Sequence, residues 1–181
     1  MSRHFESAPG LCEDKDTATN DFVFNQTMLR IADPERSLDF YTRIMGMTLL
    51  RKLDFKDMKF SLYFLTAEKD LSAISKDEAT RTTQTFGRPA MLELTHNWDD
   101  TPENADYHNG NSEPKGFGHI GFHVPDLEAA CSRFEDLGVS FQKRPDEGSM
   151  KGLAFIKDPD GYWIEIFDAT KVSDVCRDHL E

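Results

Sequence analysis

Residues 22–31, FVFNQTMLRI, alternate in character. Thr27, Leu29 and Ile31 fall on one face of an extended chain, and Gln26, Met28 and Arg30 on the other. The period then changes to that of a helix over ADPERSLDFYTRIMG. Asp33 suits the N-cap, Pro34 the first helical position, Leu38, Tyr41 and Ile44–Met45 an apolar stripe, and Gly46 the stop. Strand patterns follow at 48–55 (TLLRKLDF), 59–65 (KFSLYFL) and 89–95 (PAMLELT), where Leu92 and Leu94 oppose Glu93. Residues 66–88 are a polar insert with some helix, and 96–116 are dense in Asn, Asp, Gly and Pro, as in a linker. The pattern then restarts. GHIGFHV (118–124) reads as a strand, and PDLEAACSRFEDLG as a helix capped by Asp126 and closed by Gly138. VSFQKR (139–144), LAFIKD (153–158) and YWIEIFD (162–168) read as strands, the last two joined by the turn DPDG.

The restart is a duplication. Laying QTMLRIADPERSLDFYTRIMG over HIGFHVPDLEAACSRFEDLG places Asp33 on Asp126, Tyr41 on Phe134 and Gln26 on His119. Each half runs strand, helix, three strands, which predicts an α+β chain of tandem βαβββ modules forming a curved mixed sheet. The expected units are a flexible N-terminal arm (1–21), a first module (22–95), the linker (96–116), a second module (117–168) and a tail of one or two helical turns (169–181).

The last strand of each half carries one carboxylate among apolar residues, Glu93 in MLELT and Glu165 in WIEIF. If the halves pack about a pseudo-two-fold axis, Gln26, Glu93, His119 and Glu165 converge. One imidazole, one amide oxygen and two carboxylates suit Zn²⁺, Ni²⁺, Mn²⁺ or Fe²⁺ rather than Cu(I) or an iron–sulfur cluster. Taken singly, a strand histidine is most often hydrogen-bonded structure, and a strand glutamate usually faces solvent. Matching places in a duplicated unit give the four their weight. Glu165 shares its face with Trp163 and Phe167, poor company for an unpartnered carboxylate. His123 shares the face of His119 but lies too far along the strand to join one ion without distortion, so it reads as a pocket or core residue.

Composition narrows the options. The 181 residues carry a formal net charge of -12, which argues against a nucleic-acid or anionic-membrane partner. No run of 18 apolar residues is present, and the N-terminus lacks the apolar core of a secretory signal. Three cysteines without a C-x-x-C pair favour reduced thiols and a cytoplasmic location, and Cys131, beside Phe134 on a helix, reads as packing. Residues 116–121, GFGHIG, match the dinucleotide fingerprint G-x-G-x-x-G. That motif must follow a strand and open a helix, whereas these glycines follow a loop and enter a strand.

QTMLRIADPERSLDFYTRIMGMTL, MKFSLYFL, LELTHNW, YHNGNSEPKGFGHIGFHVPD and MKGLAFIKDPDGYWIEI closely resemble the glyoxalase I (lactoylglutathione lyase) family of the vicinal oxygen chelate superfamily. The resemblance spans roughly residues 22–168 and favours the longer, zinc-using type, with Ni²⁺ or Co²⁺ as alternatives. It implies the metal ligands Gln26, Glu93, His119 and Glu165, with Glu165 and Glu93 as catalytic carboxylates. It implies glutathione contacts at Arg30, Asn97, Lys115, Lys143 and Gly148, and places Met150 and Leu153 near the small end of the substrate. Lys115 and Ser149 depart from the family's usual residues; a lysine keeps charge but loses the planar fork of arginine. Arg30 lies four residues from Gln26 on one face, about 13 Å by strand rise.

The implied reaction isomerises the glutathione–methylglyoxal hemithioacetal to S-D-lactoylglutathione through an enediolate, with glutathione as co-substrate. The implied assembly is a homodimer with shared sites; one chain folding on itself would serve as well. Among rivals, a ring-cleaving dioxygenase wants a second histidine where Gln26 or Glu93 stands. An acyl-CoA epimerase has no need of ELTHNW. A metal-free binding module has no use for a carboxylate–imidazole set.

Overall fold

The computed structural model describes residues 4–12, 14 and 16–179. Strands β1 (Gln26–Arg30), β2 (Thr48–Phe55), β3 (Phe60–Thr66) and β4 (Met91–Asn97) form the first sheet. Strands β5 (His119–His123), β6 (Phe141–Lys143), β7 (Leu153–Lys157) and β8 (Trp163–Phe167) form the second. The orders are β1-β4-β3-β2 and β5-β8-β7-β6, so the two halves share one topology. The first strand of each half lies parallel to its last, and the remaining pairs are antiparallel. The expected α+β duplication is therefore present, as two mixed four-stranded sheets.

Helix α1 (Pro34–Asp39) starts where expected, with the Asp33 carboxylate accepting from the Glu35 and Arg36 amides. It widens into a π-helical turn over Phe40–Ile44 before Gly46, whose φ of 72° ends it. Helix α3 (Leu127–Asp136) is the repeat's counterpart, capped by Asp126 on the Ala129 amide and closed at Gly138. The insert holds helix α2 (Glu78–Phe86), capped by Asp77. The tail is longer than the expected turn or two, since α4 runs from Ala169 to His179. Asp168 caps it through Thr170, and Val175 seats it beside Gly152.

One apolar core joins the halves. Leu29, Ile31, Tyr41 and Leu94 from the first meet Leu127, Phe134, Ile156, Ile164 and Ile166 from the second. Cys131 is buried in it, as packing required. Polar groups stitch the same boundary. The Tyr41 hydroxyl donates to Asp158 at 2.8 Å, Ser37 Oγ donates to Asp160 at 3.1 Å, and the Ala32 amide donates to Asp160 at 2.9 Å. The turn DPDG thus holds α1 as well as reversing the chain. Asp158 is buried, and desolvation pushes its carboxyl up to about 6 against the hydrogen bonds it accepts.

Candidate active site

The shared topology places the candidate ligands. Gln26 stands opposite Met91, so Glu93 lies one step diagonally along the parallel neighbour. His119 stands opposite Trp163, and Glu165 occupies the same diagonal step. A parallel first–last pairing therefore sets a neutral donor beside a carboxylate twice over, on one face of each sheet.

In the first module the Gln26 amide nitrogen donates to Glu93 Oε2, and Thr95 Oγ1 donates to Glu93 Oε1 at 3.2 Å. Glu93 is only 7% exposed, and its burial raises the carboxyl pKa against those two bonds. Gln26 Oε1 is buried with no hydrogen-bond partner. An orphaned amide oxygen beside a dry carboxylate is a costly arrangement in an apolar wall, and a cation would satisfy both. In the second module His119 Nε2 lies 3.6 Å from Glu165 Oε2, with 41% and 22% of the two side chains exposed. Two neutral donors and two carboxylates balance a divalent charge, so the residues present fit such an ion. Among the described residues, however, no three His, Cys, Asp or Glu side chains gather closely enough to hold a metal. One chain brings the quartet together two by two.

The other candidates divide likewise. Arg30 and Asn97 share the face of Gln26 and Glu93, farther along β1 and β4. Lys143 stands in one cross-strand row with Phe155 and Glu165. Its ammonium donates to the Leu153 and Arg144 carbonyls, and desolvation lowers its pKa despite nearby Glu147, Asp146 and Glu165. Gly148 approaches the Lys143 stem, and Leu153 is buried on the Glu165 face. Met150 is exposed. Lys115 is exposed in the loop before β5, with its ammonium 3.9 Å from Glu113.

The third glycine of GFGHIG sits within β5, where a Cβ would meet Phe167 at 3.3 Å and Glu165 Oε2 at 3.8 Å. It clears space beside Glu165 rather than opening a helix. His123 is exposed, stacks on Phe167 and lines an apolar pocket between β1 and β5, about 400 Å³ in volume. His96, near the end of β4, bonds the Asp100 carbonyl in the turn that follows, and His108 bonds Ser112 and the Gly110 amide within its own loop.

Sequence reasoning passed over three contributors. Thr95, Asp100 and Tyr107 carry no motif of their own. Thr95 ties Glu93, and Asp100 accepts from Asn97 Nδ2 at 2.8 Å and from Tyr107 Oη at 2.6 Å. The only available signal was the Asn-x-x-Asp spacing, which is a common turn pattern.

Residues 23–166 match the family model of the Glyoxalase/Bleomycin resistance protein/Dioxygenase superfamily. The chain is 55% identical over 180 residues to a lactoylglutathione lyase of Pseudomonas aeruginosa, covering 98% of this chain and 99% of that one. It is 47% identical to the glyoxalase I of Saccharomyces cerevisiae over 82% of this chain and 46% of the yeast protein. Among solved structures, the trypanothione-dependent glyoxalase I of Leishmania major superposes with a TM-score of 0.61 at 28% identity, covering 86% of this chain and 93% of that chain. The chain belongs to the glyoxalase/bleomycin resistance protein/dioxygenase superfamily and, within it, to the lactoylglutathione lyase (glyoxalase I) family.

Proposed function

We infer that this chain is a lactoylglutathione lyase. It isomerises the hemithioacetal of glutathione and methylglyoxal to S-D-lactoylglutathione and so removes a reactive 2-oxoaldehyde. The observation that carries the reading is the repeated diagonal pair, Gln26 with Glu93 and His119 with Glu165, in a chain so similar to lactoylglutathione lyases. Gln26 Oε1, Glu93, His119 and Glu165 would hold a divalent cation, zinc by preference, with nickel or cobalt as alternatives. When bound, such an ion supplies Lewis-acid stabilisation of negative charge on the substrate's two oxygens.

The remaining work falls to side chains of this chain. Glu165, with space beside it at Gly121, takes the proton from the carbon bonded to sulfur and returns it to the neighbouring carbon. Glu93, held by Gln26 and Thr95, stays a fixed carboxylate and serves the opposite substrate enantiomer. Arg30 and Asn97 bind the γ-glutamyl end, and Lys143 with the Gly148 turn binds the other carboxylate. Met150 and Leu153 close round the methyl group. Cytoplasmic residence suits a glutathione-dependent step; among the described residues no helix is long and apolar enough to cross a membrane.

The two pairs meet when two copies combine, the first module of each facing the second module of the other. Two centres form in a homodimer about a two-fold axis. The yeast relative, of whose length this chain spans 46%, has room for both copies in one polypeptide.

The test is a hemithioacetal isomerase assay on protein stripped with chelator and reloaded with Zn²⁺, Ni²⁺ or Co²⁺. Turnover with none of them overturns the activity. Shared sites are tested by mixing inactive Glu93→Ala with inactive Glu165→Gln and letting subunits exchange. Half of randomly re-formed dimers are mixed, and each holds one intact centre, so about a quarter of wild-type activity returns. No recovery despite proven exchange overturns the shared site.

A further inference from the structure

The far end of the first module's active face is more ordered than substrate binding by Arg30 and Asn97 requires. Asn97 ends β4, and the chain turns back at once, with the Asp100 amide donating to the Asn97 carbonyl at 2.9 Å. One carboxylate oxygen, Asp100 Oδ2, then accepts from both Asn97 Nδ2 at 2.8 Å and Tyr107 Oη at 2.6 Å. His96 Nε2 bonds the Asp100 carbonyl at 3.1 Å. Those two side-chain donors, with the charges of His96 and Arg30, hold the Asp100 carboxyl below its ordinary range. Tyr107 comes from the linker and packs against the core that joins the modules, so the carboxylate is anchored from both sides.

A carboxylate only accepts, so the amide edge that faces Asp100 must be the nitrogen edge. Asn97 therefore presents its oxygen on the opposite edge, and among the described residues nothing donates to it. A free asparagine amide could turn either edge to a ligand. This one cannot, and the neighbouring Arg30 supplies the complementary cation.

We propose that Asp100 is a positioning residue that fixes the Asn97 amide, so that this end of the site reads a zwitterionic α-amino-acid head. Arg30 takes its carboxylate and Asn97 Oδ1 accepts from its ammonium. The proposal rests on the lactoylglutathione lyase reading and refines it. Asp100 touches no substrate; it acts through Asn97.

The experiment compares two hemithioacetals of methylglyoxal on the metal-loaded enzyme. One is made with glutathione, and the other with the desamino analogue in which glutaryl replaces γ-glutamyl. Wild-type enzyme should prefer the glutathione adduct in kcat/KM. Asp100→Ala should raise KM for that adduct about tenfold, the worth of a lost oriented bond to a charged group, with kcat and bound metal unchanged. The desamino adduct should be nearly unaffected, so the preference shrinks by the same factor. Asp100→Asn, whose amide allows Asn97 either orientation, should fall between wild type and Asp100→Ala. Tyr107→Phe should shift the preference in the same direction by two- to threefold, because Asp100 loses one of its anchors. Equal losses for both adducts, or a fall in kcat and metal content, would make Asp100 merely structural and overturn the proposal. An unchanged preference in Asp100→Asn would overturn it even if the alanine variant does not fold. A wild-type enzyme inactive on both adducts in every metal form would instead overturn the underlying activity.

Discussion

Glu93 and Glu165 occupy equivalent places in the repeat, yet their surroundings differ. Beside Glu93, two residues along β4, stands Thr95, which donates to it; beside Glu165 the equivalent residue is Phe167, which has no polar group to offer. The partner of Glu93 is an amide in hydrogen-bond contact, whereas that of Glu165 is an imidazole 3.6 Å away. The face itself differs as well. In the first module the 66–88 insert lies between β3 and β4, and Leu71 and Ile74 pack over Leu50, Phe64 and Met91, with Phe86 edge-on to Phe64. In the second module β7 and β8 are joined by the tight DPDG turn, which reaches Ser37 of α1 and Tyr41 of the following π-helical turn instead. Duplicated geometry has thus been dressed two ways, one carboxylate dry and tied, the other half-open with a glycine beside it. A fixed ligand wants the first environment and a group that must swing to a carbon wants the second.

Several measurements would break or sharpen that contrast. Removing metal with a chelator should bring isomerase activity to background, and one divalent ion per centre should restore it. A fully active metal-free enzyme would void the roles of both carboxylates. Next in size, Glu165→Gln should lower kcat by about 10³-fold, the scale of lost general-base catalysis, with bound metal still measurable. Glu93→Gln should weaken metal retention by at least tenfold and lower kcat less at saturating metal. Matching kcat losses in the two variants would erase the asymmetry.

The turn that replaces the insert makes its own prediction. Asp158 has a native pKa of about 6, above its unfolded value of 3.8. The native state therefore holds this proton more tightly. The contribution is complete below about pH 4 and is lost as pH rises through 6, at a cost of up to about 3 kcal/mol. Asp158→Asn should remove that fall, so urea unfolding of the two proteins should diverge between pH 4 and 7. Parallel stability profiles would show that the turn carboxylate is not strained by burial. The smallest effect belongs to Thr95→Val, which keeps shape and removes one bond to Glu93. It should weaken metal affinity about fivefold and leave the order of the two carboxylates unchanged. A drop in kcat as large as that of Glu165→Gln would reverse their roles.

Much of this was legible along the chain. β2 matches the alternating stretch at 48–55, and Asp33, Asp126, Gly46 and Gly138 mark the helix ends because capping and left-handed backbone are local requirements. Gln26, Glu93, His119 and Glu165 stood out because duplication aligned them. The burial of Glu93 was not legible, since an alternating strand looks the same whether an insert covers its polar face or not. The full length of α4 was not legible either. Its short apolar pair, Val172 and Val175, acquires a partner only where Gly152 brings the loop beneath it. Asp100 escaped notice because an Asn-x-x-Asp turn is commonplace until Tyr107 bonds its carboxylate and the charge of Arg30 acts on it.

By itself, then, the order of residues determined the repeated strand–helix–strand units, their ends and the donor types on each first and last strand. These depend on side-chain periodicity and local backbone chemistry. Tertiary structure decided that first and last strands pair in parallel, which turns distant residues into diagonal neighbours, and that each chain assembles the donors as two pairs. It also decided which carboxylate is dry. Those outcomes depend on which surfaces cover one another, and burial is a property of the packed chain rather than of any stretch within it.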